Sequence, residues 1–193
     1  MKELNEIVRT LYPVSDEALG LLANHAQIKT IRKGKLLVTE GKTNSHFYLV
    51  KNGLLRFYHI DETEEKEDTI CFAITGDVVA SLHSYFAGKP AMCNVEALVD
   101  TDLFEFSKEN LEFIFKESND LANWGRILAF EEIYTLERRY TYVGTGDAYS
   151  RYKSFFEMRP TEITRQIPLK YIASYLGVTP QTLSKMRRRF AKE

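Results

Sequence analysis

The stretch Ile167-Pro-Leu-Lys-Tyr-Ile-Ala-Ser-Tyr-Leu-Gly-Val-Thr-Pro-Gln-Thr-Leu-Ser-Lys-Met-Arg-Arg-Arg-Phe190 reads as two short helices joined at Gly177. Pro168 suits the first turn of a helix, where its missing N–H is not needed, and Ile172, Ala173 and Leu176 recur at the spacing of one buried face. Gly177 ends that helix, because an immediate turn into a second one needs a left-handed residue and glycine adopts it without a Cβ penalty. Thr179 is placed to cap the next helix, Pro180 takes its first position, and Leu183, Met186 and Phe190 form a narrow apolar stripe. Opposite that stripe, Gln181, Ser184, Lys185 and Arg188 fall at i, i+3, i+4 and i+7. Amide, hydroxyl and cationic groups are what a major-groove helix uses on base edges, and Arg187 and Arg189 beside them suit phosphates. With the threonines of the first turn, the expected DNA-binding set is Thr179, Gln181, Thr182, Ser184, Lys185, Arg187, Arg188 and Arg189. The plainer alternative is a solvated basic helix on a helical hairpin.

A chain of 193 residues with 44% hydrophobic content has apolar material for one large core or two small ones. Its net charge of −1 conceals an asymmetry. From Tyr149 to Glu193 there are 10 Lys and Arg against 3 Asp and Glu, which leaves 16 against 24 in residues 1–148. A basic terminal segment on an acidic body suits a two-domain nucleic-acid binder, since the basic end supplies counterion release while the acidic part stays off the duplex. Cys71 and Cys93 lie in apolar, strand-like segments without C-x-x-C spacing and read as reduced core cysteines, with redox sensing as the alternative. With no charged leader before an apolar core and no apolar run of membrane-spanning length, a cytoplasmic location without membrane attachment is expected.

Residues 1–26 suggest two short helices around Pro13. From Ile28 to Ser107 the chain alternates strand-like runs with turns: Lys35 to Thr39, His46 to Lys51, Leu54 to Ile60, Thr69 to Ile74, Asn94 to Leu98 and Asp102 to Phe106, punctuated by Gly34, Gly41, Gly53, Gly76 and Gly88. Asn52-Gly53 between two apolar runs predicts a hairpin, and the whole predicts a small antiparallel barrel or roll. The acidic run Asp61 to Asp68 reads as a solvated hairpin tip, with contact to a basic partner surface such as RNA polymerase as the functional alternative. After Ser107 the period becomes helical. A long helix from about Asn119 to Tyr142 carries Leu121, Trp124, Leu128 and Thr135 as its expected dimerisation stripe, which otherwise packs on the roll. Gly144-Thr-Gly146 reads as a hinge, after which Ala148 to Met158 opens the basic domain.

A helical start, a glycine-punctuated roll, one long helix and a terminal helix-turn-helix together resemble the Crp/Fnr family of bacterial transcription regulators, over essentially the whole chain. Gly34 with Glu40-Gly41, and Phe47-Tyr-Leu-Val50 with Gly53, resemble the first half of the cyclic-nucleotide-binding roll; Gly76-Asp77 and Val95-Glu-Ala-Leu98 extend the likeness to its second half. The resemblance implies an α+β fold: an N-terminal antiparallel β-roll, or double-stranded β-helix, in a sensor domain at 1–118, a long dimerisation helix at 119–143, and a winged-helix/helix-turn-helix domain at 147–193. It further implies a homodimer that reads a palindromic site in double-stranded DNA.

The departures bear on the effector. In members that bind cyclic AMP, a Glu holds the ribose hydroxyl while Arg and Ser hold the cyclic phosphate. The aligned segments here are Ala80-Ser81-Leu82 and Ala91-Met92-Cys93-Asn94, with Ser81 at the Glu position and Ala91 at the Arg position. A phosphate without a cation loses its charge-assisted bidentate contact, so cyclic AMP is not expected. A small molecule of another kind, unidentified, would use Ala80, Ser81, Leu82, Ala91, Met92, Cys93 and Asn94, and the other alternative is no ligand at all. Were a nucleotide bound, Lys89 would be the substitute cation. No cysteine precedes residue 71, which removes the family's iron–sulfur variant, and His25, His46, His59 and His83 show no metal-ligand spacing, so neither metal nor cofactor is expected. The reading is thus a sequence-specific regulator sensing a non-cAMP signal, with a cyclic-nucleotide sensor of rewired pocket as the alternative. An enzyme is not expected, for want of a catalytic triad, paired catalytic carboxylates or a metal cluster close in the chain.

Overall fold

A computed structural model describes residues 2–61, 63, 66–145, 147–157 and 165–190, with backbone alone at 139 and 142–145. Two helices open the chain, α1 (Lys2–Leu11) and α2 (Asp16–His25). Ser15 caps the second by accepting the Ala18 N–H. Eight strands follow: β1 (Gln27–Ile31), β2 (Leu36–Val38), β3 (Phe47–Asn52), β4 (Leu54–Asp61), β5 (Lys66–Ile74), β6 (Val78–Ala80), β7 (Asn94–Ala97) and β8 (Thr101–Phe106), with helix α3 (Leu82–Ala87) between the sixth and seventh. They form two four-stranded sheets in the orders β1-β8-β3-β6 and β2-β7-β4-β5.

Period-two alternation in β3 and β8 builds two cores at once. Tyr48, Val50 and Leu103 point into the roll with Val38, Leu55, Val79 and Val95. Their neighbours Leu49, Phe104 and Phe106 point the other way, into a helical layer of Leu4, Val8, Leu22, Leu111, Ile114, Leu121 and Trp124. A sheet covered on both faces reads as an unbroken apolar run, which is why Phe47-Tyr-Leu-Val50 shows no polar alternation. The register Phe47↔Phe106, Leu49↔Phe104 keeps the two sets aligned.

Five helices complete the described chain: α4 (Lys108–Glu117), α5 (Asn119–Thr145), α6 (Ala148–Glu157), α7 (Leu169–Leu176) and α8 (Pro180–Phe190). By compactness the chain divides into residues 1–57 with 72–132, and residues 58–71 with 133–193. Among the described residues no helix is long and apolar enough to cross a membrane.

The structure is the expected roll followed by helices, with local differences. Asn52-Gly53 is not a hairpin: β3 and β4 belong to different sheets, and the chain crosses between them there. Asn52 still pairs with Asp102, and Gly53 has φ +143, where a Cβ would lie 2.6 Å from the Thr101 Cβ. The glycine is needed for close approach rather than for a two-residue turn. Strands β1 and β6 and helix α3 were not legible as runs; β1, Gln-Ile-Lys-Thr-Ile, is mostly exposed and polar. Pro168 is the N-cap residue of α7 rather than its first helical residue. Helix α5 continues through Thr145; the end of the expected hinge, Gly146, and the segment 158–164 lie outside the described residues.

Gly53→Ala is expected to lower unfolding free energy by about 2 kcal/mol or more, since both the backbone conformation and the Thr101 contact oppose a side chain. Gly20→Ala, in open space on α2, should instead raise it by roughly 0.5 to 1 kcal/mol. Chemical denaturation of the two variants checks both signs.

Candidate nucleic-acid interface and effector pocket

The α7 helix ends as its sequence demands. Gly177 is left-handed at φ 63, its N–H meets the Ser174 carbonyl at 3.0 Å, and the Val178 N–H meets Ala173 at 3.0 Å. This pair of bonds is the Schellman arrangement, which satisfies the last carbonyls while turning the chain sharply. Thr179 then caps α8, its hydroxyl accepting the Thr182 N–H at 3.2 Å, and Pro180 is the first helical residue. Leu183 and Met186 are buried, and Phe190 meets Tyr152 of α6 edge-on at 5.6 Å. Arg151 of α6 donates to the Leu176 carbonyl at 3.1 Å, at the C-terminus of α7. One small core therefore fixes the α7–α8 angle from below.

Gln181, Ser184, Lys185 and Arg188 are all exposed, on a helix that contains no acid. Thr182 is half-buried with its hydroxyl 3.0 Å from that of Thr179, so these two serve the cap. The flanking arginines lean towards α6. Arg189 lies 3.9 Å from the Tyr149 ring centroid. The Asp147 carboxyl is held below its usual range by the N–H of Ser150, which it caps at 2.8 Å, with Arg189 adding to the effect. Burial pushes the Tyr152 phenol up, against the opposing influence of the Arg187 guanidinium. Arg188, one residue away from each, stays with the outward face.

The seven expected effector residues fall at the end of β6, the start of α3 and the segment leading into β7. Ser81 is the N-cap of α3, accepting the Ser84 N–H at 3.4 Å, while the Ser84 hydroxyl donates to the Lys89 carbonyl at 2.7 Å. Ala80 closes β6, and Leu82 and Met92 are exposed. Ala91 is buried in the roll core and tied by its main chain, receiving the Gly41 N–H and donating to the Lys42 carbonyl, both at 2.9 Å. Asn94 is buried and engaged with Glu40, accepting its N–H at 2.9 Å and donating to its carboxylate at 3.3 Å. Burial, and secondarily Glu40, push the Cys93 thiol up, away from the thiolate form. A feature the sequence reading missed is Arg56 on β4, fully buried with its guanidinium 3.7 Å from Glu96 of β7. Its signal was a lone cation within Leu54-Leu-Arg-Phe57. Among the described residues no group of His, Cys, Asp and Glu is arranged to hold a metal ion.

Residues 28–118 match the family model of the cyclic nucleotide-binding domain. The chain is similar to the structure of FixK2 from Bradyrhizobium japonicum, at 20% identity and TM-score 0.74, covering 86% of this chain and 85% of that one. It is similar also to the c-di-GMP responsive global regulator CLP of Xanthomonas campestris, at 12% identity and TM-score 0.71, with 92% of each chain covered. A third likeness is to the catabolite activator protein of Thermus thermophilus, at 17% identity and TM-score 0.59, over 94% of this chain and 86% of that one. The fold is that of the Crp/Fnr regulators. No curated protein matches the sequence.

Within this Crp/Fnr-like fold the long helix α5 has two unlike sides. Leu121 and Trp124, expected at a dimer seam, are 0% and 2% exposed, covered inside their own protomer by the helical layer, and Leu128 packs against the same cluster. Thr135 is exposed. The open apolar residues lie elsewhere: Phe130 is 57%, Ile133 59%, Tyr134 53%, Leu136 48% and Tyr140 82% exposed. Of these, Ile133, Leu136 and Tyr140 follow a 3-4-3-4 spacing with Arg126 and Ala129. That stripe lies about 130° round the helix from the expected one, at 100° per residue.

With Ser81 engaged as a helix cap and Ala91 bonded and buried where the cassette needs its arginine, cyclic AMP is expected to give no saturable heat in calorimetry at low micromolar protein. Binding in that range would identify another cation as the phosphate partner.

Proposed function

We infer that the protein is a sequence-specific, DNA-binding transcription regulator of the Crp/Fnr type, acting in the cytoplasm as a homodimer and without enzymatic activity. The observation that carries this reading is the outward face of α8: Gln181, Ser184, Lys185 and Arg188 exposed together, on a helix with no acid, set by a left-handed turn and a threonine cap. The opening turns present Gln181, Ser184 and Lys185 to base edges, and the Thr179 cap leaves the start of the helix suited to a phosphate.

Roles divide along the chain. Residues 1–118 sense, the helix at 119–143 joins two copies, and 147–193 reads DNA. The seam is Ala129, Ile133, Leu136 and Tyr140, because a heptad stripe of exposed apolar side chains is what a second identical helix covers. Two copies so joined place their reading helices about one DNA turn, or ~34 Å, apart and favour a palindromic site in double-stranded DNA. The signal is one other than cyclic AMP, because Ser81 and Ala91 stand where its ribose and phosphate partners would be. The acidic segment from Asp61 to Asp68 is the surface offered to RNA polymerase, its charge opposite to that of a basic partner.

Gln181→Ala or Lys185→Ala should cost about 1 to 3 kcal/mol on a selected duplex and relax discrimination at particular base pairs. Arg187→Ala and Arg189→Ala should weaken all duplexes alike and lower the salt slope by about one per lost phosphate contact. Binding titrations at several salt concentrations, on selected and scrambled duplexes, separate the two classes; unchanged discrimination in the Lys185 variant would refute the docking face.

For the dimer, Ile133→Glu and Leu136→Glu should each yield a monomer at micromolar concentration with the roll intact. Trp124→Ala should instead destabilise the protomer, by roughly 3 to 5 kcal/mol, because it opens a cavity in the helical layer. Sedimentation and denaturation distinguish the outcomes, and a wild-type chain that remains strictly monomeric with or without DNA would sink the dimer.

A further inference from the structure

Helix α7 carries one polar side chain that reaches another segment with both of its hydrogen-bonding functions. The Ser174 hydroxyl accepts the Thr69 N–H at 2.8 Å and donates to the Glu67 carbonyl at 3.0 Å. Residues 67 and 69 are two apart on β5, so both main-chain groups project from the same edge of that strand. Among the described residues β5 is the outermost strand of its sheet, where such an edge presents its N–H and C=O groups outward. A hydroxyl is donor and acceptor at once, so Ser174 takes the place that a neighbouring strand would fill at this rung. A helix-interior serine commonly returns its hydroxyl to the carbonyl one turn back; this one is committed to a strand 105 residues away in sequence. Its own carbonyl, meanwhile, receives the Gly177 N–H that turns the chain into α8. The same residue thus holds β5 by its side chain and the interhelical turn by its backbone. Residues 58–71 and 133–193 form one compact unit, so the contact is internal to it.

We propose that Ser174 is a positioning residue: its hydroxyl seats the β4–β5 hairpin on α7, and the seated hairpin holds the α7–α8 pair in the orientation that engages DNA. The proposal rests on the reading of α8 as the DNA-reading helix. It makes the hairpin part of the DNA-binding unit, although its strands begin and end in the roll.

The test compares Ser174→Ala and Ser174→Thr in the full chain. Alanine is the best helix former, so α7 keeps its fold without the hydroxyl; threonine keeps the hydroxyl. The readouts are hydrogen exchange at the Thr69 amide, affinity for a selected duplex, and the thermal midpoint. In the alanine variant Thr69 exchange should quicken about tenfold and affinity fall by roughly the same factor, the scale of one ordinary hydrogen bond, and threonine should restore both. Unchanged exchange in the alanine variant overturns the contact. Quickened exchange with unchanged affinity overturns the positioning role, as does an affinity loss that threonine fails to rescue or that merely follows a lowered thermal midpoint. If the wild-type chain binds no duplex, it is the DNA reading of α8 that fails, and the exchange data still decide whether Ser174 holds the strand.

Discussion

The antiparallel pairing of β3 with β8 is the contact through which the roll core and the helical-layer core are both built. Tyr48, Val50 and Leu103 face the roll while Leu49, Phe104 and Phe106 face the helical layer, so a slip of one residue would send every one of them to the wrong side. The helical layer in turn fixes Leu121 and Trp124, and with them the start of α5. Burial also shows in the chemistry of Tyr48, whose phenol is pushed up to about 12, chiefly by desolvation and against the hydrogen bond from Asn44. A central strand covered on two sides leaves little freedom for the elements that hang from it.

Around α3 and β7, the positions that depart from the cyclic-AMP pattern are bound into the scaffold. Ser81 spends its hydroxyl on the α3 N-terminus, and Ala91 spends its backbone on Gly41 and Lys42. Each position is integrated into the scaffold through groups that do not depend on a ligand. The buried cation of the domain is Arg56, balanced by Glu96. An ion pair held largely out of water is costly to break by removing one partner, so a change at either position is felt at the other.

Much of this was legible in the residues, for identifiable reasons. Thr179, Pro180 and Gly177 act through bonds to chain neighbours, and local chemistry of that kind is readable from order alone. Six of the eight strands were visible as apolar runs; Gln27–Ile31 escaped because its partner β8 supplies the burial, not its own composition. Asn52-Gly53 misled because a two-residue signal cannot say which sheet the next strand will join. On α5, Leu121, Trp124 and Leu128 recur at heptad spacing, as do Ala129, Ile133, Leu136 and Tyr140, and only the tertiary structure says which of these residues are covered within the chain. Ser174 gave no sign at all, since its partners are main-chain groups of a distant strand.

The outward face of α8 has a consequence for how such a protein diversifies. Leu183 and Met186 carry the packing and Thr179 the cap, while Gln181, Ser184, Lys185 and Arg188 take no part in the small core beneath. The packing residues and the outward residues are therefore distinct along one eleven-residue helix. On the proposed reading of α8, a lineage or an engineer could exchange the four outward side chains and alter recognition while the fold is left untouched, because those substitutions fall where surface changes ordinarily cost little.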